Sequence, residues 1–282
     1  MNGSWQEPPE YRDGGGVSLA VPRLSPLIKK LMLINGGLFL ASYIFSLAAP
    51  EAWLTVTKWF AVSPDLWKSW APFVPVWQLV TYGFLHSVTS PMHVLMNMLF
   101  LYFLGTMLEG IIGSKRFLST YLAAIAVAGA CTLATGLIMG DDRWVVGASG
   151  GVMAIVVACA VLRPDTRIIF IIIPMTLKVF AWIYVGLDVF HSINVVFGGQ
   201  RAGVAYFAHL GGAAFGYLAV KKGWIWRDPI QELETRKQKR QEQQREDDAQ
   251  KLDDLLARIH RDGIHSLSER EKAFLKKASQ RR

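Results

Sequence analysis

The stretch from residue 31 to residue 220 is almost free of charge, and this constrains the fold more than any other feature. It holds only 16 of the Lys, Arg, Asp and Glu residues, whereas residues 221–282 hold 29. A soluble domain carries about 25% charged residues, so a region this poor in charge could not sustain a water-facing surface. The sequence therefore predicts a membrane domain with charged flanks.

Six apolar segments are long enough, or nearly so, to cross a hydrocarbon core that needs about 20 helical residues. Lys and Arg are more numerous in cytoplasmic loops. With the N-terminus inside, the inner flanks carry eleven of them and the outer loops four. We therefore predict an all-α, six-span protein of the cell membrane with both termini cytoplasmic. The segments lie near 31–49, 91–111, 117–139, 149–162, 179–197 and 204–220.

The formal net charge of +8 is spread over these flanks rather than gathered on one motif. This favours contact with the lipid bilayer and excludes a nucleic-acid footprint. Cys131 and Cys159 both lie in apolar segments, which excludes a disulfide framework. The same positions exclude a cysteine-rich zinc site.

The fourth segment is short, and a candidate nucleophile stands at its start. Its 14 residues, Ser149 to Leu162, span about 21 Å at 1.5 Å per residue, so its outer end must lie below the outer surface. Irregular backbone at this depth must be buried in protein or line a water-filled cavity. We therefore predict a water-filled cavity that leads from the outer surface to this end of the segment. Gly147-Ala148-Ser149-Gly150-Gly151 also matches a nucleophile elbow, but that motif requires a soluble α/β sheet. Taken alone, Ser149 could simply cap or pack a helix.

A histidine in the sixth segment is the second candidate. His209 would lie inside a membrane helix, where ionisable side chains are costly and usually functional. Gly212 and Gly216 form a small-residue face that allows close helix approach, and this would bring His209 near Ser149. Because neutral imidazole can accept the serine proton, the two predict a catalytic dyad. Asp141, Asp142 and Asp188 are nearby acids, but no pattern places one behind His209.

The second segment adds a further polar pair. His93 and Asn97 are four residues apart and share one helix face. For one such residue taken alone, a structural polar contact between two helices is the simpler interpretation. Two neutral donors directed into an interior that also holds Ser and His are better explained as oxyanion stabilisers.

Together these motifs resemble the rhomboid intramembrane serine proteases. The resemblance covers roughly residues 25–222 and extends to Trp77–Tyr82, Gly105, Glu109 and residues 113–117. It rests mainly on three motifs in order on spans two, four and six: His93-x-x-x-Asn97, Gly147-Ala148-Ser149-Gly150, and Ala208-His209-x-x-Gly212-x-x-x-Gly216.

The resemblance implies cleavage of single-span membrane proteins near the outer surface, with no metal and no organic cofactor. It also implies that the substrate enters between the second and fifth helices. It implies Ser149 as nucleophile, His209 as base and then acid, and Asn97, His93 and the Ser149 amide as oxyanion donors. Met153 departs from the pattern, because many relatives carry at this position an aromatic that stacks on the histidine. The alternative function is that of a catalytically inactive rhomboid-like protein, which binds membrane proteins as clients without cleaving them. A small transporter would predict paired acidic residues at mid-depth of the membrane and internal repeats, and the sequence has neither.

The remaining segments are divided by composition. Residues 1–24 are predicted to be a disordered leader, 25–222 the membrane domain, 223–250 a charged linker or helix, and 251–282 a small helical tail. The tail has apolar residues at helical spacing and a break at Gly263. It resembles the tail of some bacterial rhomboid-like proteins. Because it cannot bury much core alone, we expect it to dock on its own membrane domain, another copy or a partner.

Overall fold

The computed structural model describes residues 23–170, 172–197 and 204–279, and within them the protein is helical with one short β-hairpin. The predicted leader at 1–24 lies almost wholly outside the described residues. The helices are α1 Pro26–Ala48, α2 Pro50–Phe60, α3 Pro64–Ser69, α4 Gln78–Thr81, α5 Pro91–Phe100, α6 Thr106–Ile112, α7 Ser114–Met139, α8 Ser149–Leu162, α9 Leu177–Phe197, α10 Val204–Lys221, α11 Pro229–Asp262 and α12 Glu269–Ser279.

Six helical segments coincide with the six predicted apolar ones. Four are long and apolar enough to cross a membrane: α1, α7, α9 and the continuous segment Pro91–Ile112, in which one π-helical stretch joins α5 to α6. The predicted helical membrane fold is therefore confirmed apart from the short β-hairpin, while the count of six crossings stays a prediction. Local sequence explains where several of these helices begin or end. Ser25 caps α1 by accepting from the Ile28 N–H at 3.0 Å, and Gly140, with a φ of 67°, terminates α7.

Helix α8 forms the centre of the bundle. Eleven of its 14 residues are buried, and it contacts α7, α9 and α10. A helix that is apolar on all sides must be surrounded on all sides, which explains why its sequence shows no polar face. Because Ser149 is its first residue, the candidate nucleophile is held at one end of the most tightly packed element.

The apolar run at 168–178, which Pro174 interrupts, predicts an interfacial stretch on the inner side of the membrane, and the structure gives most of this region a defined shape. It contains a two-stranded antiparallel hairpin, β1 Arg167–Phe170 and β2 Ile173–Thr176. Helix α9 begins at Leu177, two residues before the predicted start at 179. Lys178 lies in its first turn and pairs with Asp165 at 2.7 Å, so this lysine has an ionic partner at the helix end.

The C-terminal segment shows no break at the predicted boundary near residue 250. Helix α11 continues from Pro229 to Asp262. Gly263, with a φ of 80°, then ends it and allows α12 to fold back. Leu255 and Leu267 are buried between them, and Arg258 pairs with Glu271. Hydrogen bonds from Ser268, followed by the Arg258 guanidinium, lower the pKa of Glu271 to about 2.

Candidate active site

The structure brings Ser149 and His209 into hydrogen-bond contact. The Ser149 Oγ and the His209 Nε2 are 2.7 Å apart. Ser149 begins α8, and His209 projects from the second turn of α10, with 16% of its side chain exposed. A serine hydroxyl at this distance can donate to an unprotonated ring nitrogen, which is the arrangement that activates a serine nucleophile.

Glycines bring the two helices this close. A Cβ atom on Gly212 would lie 1.9 Å from the Gly150 carbonyl oxygen, and one on Gly216 would lie 2.3 Å from the Ala154 carbonyl oxygen. Neither position can hold a side chain without moving backbone. Gly150 itself packs against α7, since a Cβ there would lie 2.4 Å from the Ala128 Cβ. The predicted small-residue face therefore lies directly on α8 and sets the spacing between Ser149 and His209.

His93 stands beside the loop that leads into Ser149. Gly147 has a φ of 136°, a conformation that residues with a side chain rarely adopt. A Cβ at this glycine would lie 2.7 Å from the His93 Cε1 and 3.6 Å from the Ser149 Oγ. The His93 imidazole and the Ser149 hydroxyl thus both lie next to the position that a side chain at Gly147 would occupy. Because this residue is glycine, that space stays open.

Asn97 lies one helical turn beyond His93 and is 4% exposed. Its Nδ2 is buried and has no hydrogen-bond partner among the described residues. A buried amide donor without an acceptor is costly, and active sites are where such donors are kept for a charge that develops during reaction.

Asp188 lies behind His209, a contact that the sequence did not predict. The His209 Nδ1 is 3.1 Å and 3.2 Å from the two carboxylate oxygens. The other two candidate acids are engaged elsewhere, Asp141 with Arg143 and Asp142 with Lys68. One signal was available: Asp188 is an ionisable residue within a predicted span, which is by itself unusual.

A comparison with protein families identifies the fold. The model of the Rhomboid domain matches residues 75–225, more than half of the chain. The chain belongs to the rhomboid family. Together with the four long apolar helices, this makes it a multi-pass membrane protein. None of the curated proteins compared with this rhomboid matches it.

In this rhomboid the aromatic contact to the histidine comes from α9. Met153, four residues after Ser149, is 1% exposed and fills core space. The Tyr184 ring instead lies edge-on to the His209 ring, with centroids 6.2 Å apart. Tyr184 precedes Asp188 by one helical turn, so the same face of α9 provides both contacts to the imidazole.

His86 forms a second layer behind His93. It is 2% exposed, and the two rings lie 5.3 Å apart, edge to face. Burial, and secondarily the nearby His93, lowers the pKa of His86 to about 4, so it is neutral at neutral pH. A neutral His86 supports the loop before α5 without adding charge beside the site.

Within residues 23–170, 172–197 and 204–279, no group of three His, Cys, Asp or Glu side chains could hold a metal ion. The site itself presents the Ser149 hydroxyl, the His209 imidazole and neighbouring hydrogen-bond donors.

Proposed function

We propose that this rhomboid is a serine endopeptidase that hydrolyses peptide bonds of single-span membrane proteins near the outer face of the cell membrane. The 2.7 Å contact between the Ser149 Oγ and the His209 Nε2 carries the proposal. The Lys and Arg distribution supports cytoplasmic termini, and in that orientation the Ser149 end of α8 faces outward.

The reaction follows from the positions of four side chains. As the Ser149 oxygen bonds to the substrate carbonyl carbon, its proton passes to the His209 Nε2, and the carbonyl π electrons move onto oxygen. Asn97 and His93 donate hydrogen bonds to that oxyanion, together with the amide of Ser149 at the positive end of the α8 dipole. When the C–N bond breaks, His209 returns the proton to the leaving nitrogen. Water then repeats the sequence to release the acyl group from Ser149.

The first experiment compares wild type with Ser149→Ala in proteoliposomes that contain a model single-span substrate. We expect the cleavage rate to fall at least about 10³-fold, because the variant has no nucleophile. Ser192→Ala is the control, since Ser192 is likewise a serine within a predicted span, is buried, and has no described hydrogen-bond partner.

Two outcomes would contradict the proposal. Equal cleavage by wild type and Ser149→Ala would assign the activity to a contaminant. Binding of several such substrates by folded wild type without cleavage would favour a catalytically inactive client-binding protein instead.

A second variant tests the oxyanion assignment. Asn97→Ala removes one donor and should lower kcat roughly 10²- to 10³-fold with little change in KM, because the interaction forms only as the oxyanion develops. Asn35→Ala is the control, since Asn35 is also buried in a span but donates to the Leu31 carbonyl on its own helix. An unchanged kcat for folded Asn97→Ala would exclude this role.

A further inference from the structure

Asp188 is a carboxylate in an unfavourable place. It is 4% exposed within α9, which is otherwise apolar enough to cross a membrane. An ionisable side chain at such a position is costly unless it is paired. Its hydrogen-bond partner within the described part of the chain is His209, whose Nδ1 lies between the two carboxylate oxygens.

The Ser149 contact determines what Asp188 can do. Neutral imidazole carries one N–H, on either Nδ1 or Nε2. To accept the serine proton, Nε2 must be bare, so the ring proton must reside on Nδ1. An acceptor 3.1 Å from Nδ1 favours that tautomer, and a carboxylate also stabilises the imidazolium formed once Nε2 takes the proton.

We propose that Asp188 is a positioning residue that holds His209 in its reactive tautomer and orientation, so that Ser149, His209 and Asp188 work as a triad. This inference rests on the proposed protease function. Asp188 touches no reacting atom and acts only through His209.

The contrasting role is purely structural, a polar contact that fastens α9 to α10. The two roles predict different measurements. A structural contact affects the folded fraction and the melting temperature, whereas loss of a positioning residue lowers kcat of folded protein at unchanged KM. The side chain that replaces Asp188 also matters for positioning, since a longer carboxylate can still accept from Nδ1 and an amide can favour the wrong tautomer.

The experiment measures kcat and KM of wild type, Asp188→Asn and Asp188→Glu in proteoliposomes, per folded molecule. A fluorophosphonate that labels Ser149 provides an independent measure of nucleophile reactivity. Asp188→Asn should lower kcat and the labelling rate at least about 100-fold, with KM within about 2-fold of wild type. Asp188→Glu should recover at least about 10-fold of that loss, because it restores the carboxylate.

Two control variants are needed, one that shares the helix face of Asp188 and one that shares its charge. Ser192→Ala removes a polar group one turn further along the same buried face of α9. Asp165→Asn removes an acid whose partner is Lys178. Both should retain wild-type kcat. Should Asp188→Asn not fold, Asp188→Ser is measured against the same thresholds.

The results separate the two proposals. Wild type that neither cleaves substrate nor reacts with the fluorophosphonate would overturn both. Active wild type together with a folded Asp188 variant within about 3-fold of its kcat would overturn only the triad. A raised KM at unchanged kcat, or no recovery in folded Asp188→Glu, would also overturn it.

Discussion

The helix pair α8 and α10 and the helix α9 all contribute to one site, but they are held in opposite ways. In α8, 11 of 14 residues are buried, and its backbone touches that of α10 through glycines. In α9, only 6 of 21 residues are buried, and Trp182 on its outer face is 77% exposed. Ser149 and His209 are thus positioned by close backbone contact, whereas the helix that carries Asp188 packs on its neighbours through side chains and, in its first turn, through two backbone hydrogen bonds.

Those side chains form an aromatic cluster at one end of α9. Phe180 lies 5.6 Å from Phe100 and 5.0 Å from Phe170, measured between ring centroids, so α5 and the β-hairpin both pack against it. Near the site, α9 contacts His209 through Tyr184 and Asp188. Aromatic rings tolerate small adjustments that apposed backbones do not. The comparison therefore predicts that adding one methyl group strongly lowers stability and activity when it is placed on the glycine face of α10, and leaves both unchanged when it is placed on α9.

Gly212→Ala should have the largest effect. Its Cβ would lie 1.9 Å from the Gly150 carbonyl oxygen, so the helices must separate at a cost of about 3 kcal/mol or more. Cleavage should fall to background, and the melting temperature in detergent should drop. Gly186→Ala on α9 is the control, because no atom lies within 4 Å of its Cβ position. Equal stability of the two variants would refute the contrast between these helices.

Tyr184→Leu should have a smaller effect, because it removes only the ring contact to His209. A contact of this kind is worth about 0.5–1.5 kcal/mol, which predicts a roughly 2- to 10-fold lower kcat. Trp182→Leu, two residues earlier on the exposed face, should leave kcat unchanged. Steady-state cleavage in proteoliposomes measures both. A greater loss for Trp182→Leu than for Tyr184→Leu would show that the outer face of α9 matters more than its contact with the imidazole.

Much of the membrane domain could be predicted because apolar segments and helix signals are local. The fourth segment was predicted at 149–162, and α8 has these bounds. Spacing alone also placed His93 and Asn97 on one helix face. The hairpin at 167–176 was not recognised, since an apolar run with a proline does not reveal its strand partner. The single helix α11 was divided at residue 250 because its composition changes there, although its backbone does not.

The candidate site was predictable in part for a similar reason. Ser149, His209 and the glycines between them form short motifs with recognisable spacing. Asp188 and Tyr184 stand 21 and 25 residues before His209 without a motif, and Asp188 was one of three acids that sequence could not separate. Which acid faces the imidazole depends on how α9 is rotated and how far it lies along α10.

The sequence by itself determined that the chain enters a membrane, where its helices lie, and which serine, histidine and glycines share a motif. These depend on composition and on the fixed 3.6-residue period of a helix. Only the tertiary structure decided that Asp188 rather than Asp141 or Asp142 meets His209, and that the Tyr184 ring lies edge-on to the imidazole. These contacts depend on the rotation and depth of one helix against another, which are set by the packing of many residues together.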